Sequence, residues 1–139
     1  MSAKKILVVD DSVVVTKTTE MILTKAGYTV LVAADGSTAI GMARREKPDL
    51  VVLDISFPPD VAHGGGVAWD GLLIMQWLKR MEEAKNTPVI IITGQDPAKY
   101  REAVMKLGAV AFLTKPINND ELLKLIGETL VQTGAAGAV

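Results

Sequence analysis

Apolar residues in this chain fall into two alternating patterns, short unbroken runs and longer stretches that repeat every three to four positions. Unbroken β-branched runs suit strands buried on both faces of a parallel sheet, and the longer repeat suits helices with one apolar face. The first run, Ile6–Val9, stops at Asp10-Asp11-Ser12, where either Asp11 or Ser12 can cap the helix that follows. Val15, Thr19, Ile22, Leu23 and Ala26 recur at helical spacing along it, and Gly27 is its stop. Tyr28–Ala33 reads as a second strand. Asp35-Gly36-Ser37 then turns the chain into a helix through Ala39, Ile40 and Ala43 that closes near Lys47-Pro48.

The third run, Leu50–Ile55, carries one carboxylate, Asp54, at its far end, and Pro58-Pro59 prevents the strand from continuing. From Asp60 to Trp69 the pattern lapses, and Gly64-Gly65-Gly66 argues against a regular element there. Asp70-Gly71 opens a helix whose apolar stripe is Ile74, Trp77, Leu78 and Met81, with Trp77 and Met81 predicted in the core. Thr87-Pro88 leads into a fourth strand, Val89–Thr93. Asp96-Pro97 has the form of a cap followed by proline at the first helical position, and Tyr100, Ala103, Val104 and Leu107 mark the inward face up to Gly108. A fifth strand, Val110–Thr114, precedes Lys115-Pro116. Asn118 and Glu121 resemble a capping box for a last helix burying Leu122, Ile126 and Leu130. Residues 132–139 are small, as in a flexible tail or the start of a linker, so the folded unit is expected over 1–131.

Five strands alternating with five helices predict an α/β fold, a doubly wound parallel sheet of order 2-1-3-4-5 in a flavodoxin-like three-layer sandwich. Ligands bind such sheets at the carboxyl ends of the strands, near the point where strand order reverses. In that order Asp10 and Asp11 leave strand 1 beside Asp54 on strand 3, while Thr93 and Lys115 close the ring from strands 4 and 5. The third strand and its acid are the centre on which the others converge.

Composition narrows the chemistry. With 139 residues the chain is long enough for one domain with its own core, and with 4% aromatic residues that core is mainly aliphatic. A formal net charge of −1 supplies no basic field for nucleic acid. The absence of cysteine excludes disulfides, thiolate metal sites and a cysteine nucleophile. The apolar run after Met1 is too short for a signal peptide and no later run is long enough to span a bilayer, so a cytoplasmic location is expected.

The ordered set Val-Val-Asp10-Asp11-Ser12, Leu-Asp54-Ile, Pro58, Asp70-Gly71, Thr93-Gly94, Gly108-Ala109 and Lys115-Pro116 resembles the receiver domain of two-component response regulators, the CheY-like family, from about Lys4 to about Leu130. The resemblance implies that Asp54 accepts a phosphoryl group from a sensor histidine kinase or phosphotransfer protein. It implies that Mg²⁺ is held by Asp10, Asp11, Asp54 and the Ser56 carbonyl. Thr93, the Gly94 amide and Lys115 would stabilise the phosphoryl oxygens, Thr93 and Phe112 would act as the switch pair, and the bond before Pro116 would be cis. The partner is then a downstream protein or an effector domain, met through the surface of the fourth helix, fifth strand and fifth helix. A phosphorylation-linked homodimer is also within the family's habits, whereas direct nucleic-acid binding and membrane insertion are not.

The residue types make chemical sense of that reading. Three crowded carboxylates repel one another, and Mg²⁺ takes hard oxygen ligands while keeping waters, which suits a shallow acidic pocket. The resemblance also has a departure, a long insertion at 59–69 between Pro58 and Asp70, containing His63, Val67 and Trp69. Ser56 and Gln95 stand where the family tunes hydrolysis. A flavin-phosphate module is disfavoured because two aspartates occupy the turn that would cradle phosphate. A hydrolase of the haloacid dehalogenase kind would need Asp-x-Asp there, and the aspartates here are adjacent.

Overall fold

The computed structural model describes residues 3–54, 71–93 and 97–138. Its elements are β1 (Lys5–Val9), α1 (Val13–Lys25), β2 (Thr29–Ala33), α2 (Gly36–Glu46), β3 (Leu50–Asp54), α3 (Gly71–Arg80), β4 (Val89–Thr93), α4 (Pro97–Lys106), β5 (Ala111–Thr114) and α5 (Asn119–Ala138). The strands form one parallel sheet in the order β2-β1-β3-β4-β5, the doubly wound order expected. The sheet edge bearing the first acids is set by register. Val9 pairs with Leu53, so the chain leaves β1 at Asp10 beside Asp54. Thr93 pairs with Thr114, which brings Lys115 to the same edge.

The unbroken apolar runs are explained by the two faces they serve. Side chains alternate across a strand, so odd and even positions feed different layers. Leu7, Val9, Val51, Leu53, Val89 and Ile91 pack with Ala39, Ile40 and Ala43 of α2, Ile74, Leu78 and Met81 around α3, and Val104 of α4. Ile6, Val8, Leu50, Val52, Ile90 and Ile92 pack with Leu23 of α1 and with Leu122, Ile126 and Leu130 of α5. Both layers need aliphatic residues at every central strand position, so no polar alternation appears there.

Local signals account for the element ends. The Asp35 side chain accepts the Thr38 N–H at 2.7 Å and caps α2. The Asn118 side chain accepts the Glu121 N–H at 3.1 Å and caps α5. Gly27 and Gly108 take φ of +102° and +103°, the left-handed conformation that lets the chain reverse after α1 and α4. Lys47 does the same after α2 at φ 47°, which is less usual for a residue with a Cβ.

Some expectations need correcting. Trp77 is 44% exposed, while Met75, outside the predicted stripe, is fully buried. The buried arc of α3 is turned toward Met75, leaving the broad amphipathic indole at its margin. On α1 the buried set includes Thr16, whose hydroxyl donates to the Val13 carbonyl at 3.0 Å, while Ala26 is exposed. Finally, α5 continues as helix to Ala138 rather than ending near residue 131. Ala135, Ala136 and Ala138 favour helix there while Gly134 and Gly137 disfavour it, so propensity alone does not account for the extension. The predicted insertion at 59–69 lies outside the described residues.

Candidate acidic site at the sheet's carboxyl edge

Strand geometry delivers the site residues one by one. The Asp10 N–H donates to the Ala33 carbonyl at 3.1 Å, continuing the β1–β2 ladder one residue past the strand. Its carboxylate is then turned by the Ser12 N–H, which donates to Asp10 Oδ1 at 2.9 Å. Asp54 ends β3, the central strand, and is only 3% exposed; Asp10 is 4% exposed and Asp11 faces solvent. Each of the three acids presents a carboxylate oxygen, and these oxygens lie within 4.8 Å of one another. Among the described residues, these three acids are the candidate metal-holding group of the fold.

Lys115 supplies the opposing charge. Its N–H donates to the Thr93 carbonyl at 2.8 Å, so the β4–β5 ladder fixes its backbone. From there the ammonium donates to Asp54 Oδ2 at 2.8 Å and to Asp10 Oδ2 at 3.3 Å. The Lys115–Pro116 peptide bond is cis. Thr93 is fully buried at the end of β4. Phe112, on β5, is half-buried against the layer formed by α2, α3 and α4, and it lines a cleft with Arg101, Thr114, Pro116 and Glu121. Ser56 and Gly94, expected as a metal ligand and an oxyanion amide, lie outside the described residues.

The pocket's charge balance is visible in its titration. Burial pushes the Asp10 carboxyl up from 3.8 to about 6; the Ser12 N–H opposes this, and the Asp54 charge adds to it. For Lys115, burial works against the charged form, yet the hydrogen bond and charge of Asp54, with those of Asp10, prevail and raise it above 10.5. Lys115 therefore contributes stability that is complete at neutral pH and fades only as pH climbs past its ordinary range. One ammonium facing three acids leaves the pocket negative. All-oxygen donors, with no imidazole or thiolate among them, suit a hard divalent cation such as Mg²⁺ better than zinc.

Ser12, one of the two caps expected for α1, caps it through its hydroxyl and also orients Asp10 through its N–H, a second role with no signature in the sequence. The capping signal was present in the two candidates, Asp11 and Ser12, but nothing in the sequence chose between them.

A doubly wound sheet that gathers acids from β1 and β3 and a lysine after β5 at one edge defines the CheY-like receiver architecture. The chain belongs to the response regulator receiver domain family, whose model matches residues 6–127. It is therefore a receiver domain of two-component signal transduction. It is 34% identical over 126 residues to PilH of Pseudomonas aeruginosa, covering 91% of this chain and 97% of PilH. It is 36% identical over 146 residues to the response regulator PleD of Caulobacter vibrioides, covering 99% of this chain and 30% of PleD. With TcrX of Mycobacterium tuberculosis it shares 34% identity over 137 residues, spanning 94% of this chain and about half, 54%, of that relative. Among solved structures, a CheY-like receiver domain from Methanospirillum hungatei matches with TM-score 0.85 at 27% identity, over 97% of this chain and 99% of that one. The receiver domain of the sensor histidine kinase PA1611 from Pseudomonas aeruginosa matches with TM-score 0.79 at 26% identity, over 93% of this chain and 98% of that one; its active-site cleft holds a magnesium ion. No helix among the described residues is long and apolar enough to cross a membrane.

Proposed function

We propose that Asp54 is the phosphoacceptor of this receiver domain and that the transfer requires Mg²⁺. The observation that carries the reading is the junction of three carboxylates with one lysine, in which Lys115 already reaches Asp54 Oδ2 at 2.8 Å. Asp10, Asp11 and Asp54 would hold the cation, joined by the carbonyl of Ser56. When bound, Mg²⁺ neutralises the acids and stabilises negative charge on a transferring phosphoryl group.

The chain's own residues do the rest. An Asp54 carboxylate oxygen forms a bond to phosphorus as the donor's bond to phosphorus breaks, and the donor atom leaves with that electron pair. Lys115 orients the acceptor and offers its charge to a phosphoryl oxygen; the Thr93 hydroxyl and Gly94 amide serve the others. A phosphoryl group adds charge and acceptor oxygens, so it biases Thr93 and the packing of Phe112 toward a second arrangement. A donor protein, a histidine kinase or phosphotransfer protein, would approach along the groove of Val14, Val15, Thr18, Pro116 and Ile117 that opens beside Lys115. Output to a downstream protein or effector domain would pass through α4, β5 and α5, where the Phe112 cleft lies. The domain acts as a cytoplasmic switch rather than a turnover enzyme.

The metal requirement is directly testable. Incubated with a small acyl phosphate and Mg²⁺, the protein is expected to gain the mass of one phosphoryl group per chain, and excess chelator should abolish the gain. Equal labelling with and without chelator would overturn the role given to the acidic cluster.

A further inference from the structure

The start of α1 poses a choice that bears on the cation. Two residues in a row, Asp11 and Ser12, are good helix caps, and aspartate ranks at least as high as serine at that position. If Asp11 capped α1, its carboxylate would turn toward the helix amides and away from the pocket. The structure takes the other option. Ser12 adopts the extended cap conformation, φ −86° and ψ 115°, and its hydroxyl accepts the Val15 N–H at 3.3 Å. Its carbonyl accepts the first helical hydrogen bond, from Thr16 N–H at 3.0 Å. The same residue's N–H holds Asp10 Oδ1 at 2.9 Å, which leaves Oδ2 facing Lys115.

We infer that the Ser12 side chain is a positioning group for the cation site: by capping α1 it keeps Asp11 off the helix, while the backbone N–H at the same position, which any residue but proline would supply, holds one oxygen of Asp10. The inference rests on the acidic cluster being the Mg²⁺ site. Ser12 touches neither the cation nor the phosphoryl group. Its effect is on how many carboxylates are ready when the cation arrives, and partners of this kind alter metal affinity about tenfold or more.

The test is a Mg²⁺ titration of the full chain followed by amide and side-chain carboxyl NMR shifts, which give a dissociation constant without any phosphoryl transfer. Ser12→Ala is expected to bind Mg²⁺ about tenfold more weakly, with the Asp11 carboxyl resonance displaced before any cation is added. Ser12→Asn, which can cap, should restore near wild-type affinity. Gly27→Ala strains the left-handed residue that ends the same helix at the opposite edge of the sheet, and serves as the control for lost helix stability; its Mg²⁺ affinity should stay at the wild-type level. Wild-type affinity in Ser12→Ala, or an equal loss in Gly27→Ala, would overturn the inference. A wild-type chain whose spectrum does not respond to Mg²⁺ would overturn the assignment of the site itself, and with it this role for Ser12.

Discussion

At pH 7 in the presence of chelator, Asp10→Asn is expected to be more stable than the wild type, by up to about 3 kcal/mol. Asparagine keeps the shape of the side chain and the oxygen that accepts the Ser12 N–H, while removing a charge that the fold does not welcome. The Asp10 carboxyl is raised from 3.8 to about 6, chiefly by burial. Between those values the native state binds more protons than the unfolded chain, so wild-type stability falls as pH rises and the penalty is complete above about pH 6. The advantage of Asp10→Asn should therefore shrink on acidification and vanish below pH 3.8. Urea unfolding at about pH 7 and about pH 3 measures both ends. Saturating Mg²⁺ should then favour the wild type, because a ligand that binds only the native state adds to its stability. If Asp10→Asn proves less stable at pH 7 without cation, the pocket is not electrostatically strained as described.

Lys115→Met should move stability the other way, with a loss on the order of 3 kcal/mol at pH 7. Methionine fills similar space but leaves Asp54 and Asp10, 3% and 4% exposed, without the ammonium that each now contacts. Removing one member of a buried charge group costs more than the group contributes, since the remaining charges stay buried and repel. Acidification should recover part of the loss as Asp10 takes a proton. A shift in the urea midpoint at pH 7 that persists undiminished at pH 5 would point to lost packing instead. The opposite signs expected for Asp10→Asn and Lys115→Met come from a single imbalance, three acids against one base.

Much of this was legible in the sequence because the signals were redundant. Val89–Thr93 matched to the residue, since Pro88 closes one end and the apolar run defines the rest. The order of the strands followed from alternating elements and the handedness of crossovers, and that order brings Asp10, Asp54 and Lys115 to one edge. What was not legible depended on competition between near-equal choices. Asp11 and Ser12 are comparable caps, and nothing local decides between them; the folded chain caps α1 with Ser12 and leaves Asp11 grouped with Asp10 and Asp54. Trp77 sits within the helical repeat, yet Met75 is fully buried and Trp77 is not, because the apolar repeat alone does not say which side of the stripe faces the sheet. The residues after Leu130 mix alanine, which favours helix, with Gly134 and Gly137, which do not, so local preference left open the continuation of α5 to Ala138. Burial of Asp10, which sets its proton affinity, depends on neighbours from three strands and is invisible in a run of two aspartates.

That Asp54 is the acceptor is decided by the intact mass of wild type and Asp54→Asn after exposure to a small acyl phosphate with Mg²⁺. One phosphoryl group is expected on the wild type and none on Asp54→Asn, with both proteins folded by circular dichroism. Equal labelling of the two would rule Asp54 out, because the phosphoryl group would then reside on a side chain other than the one β3 delivers to the pocket.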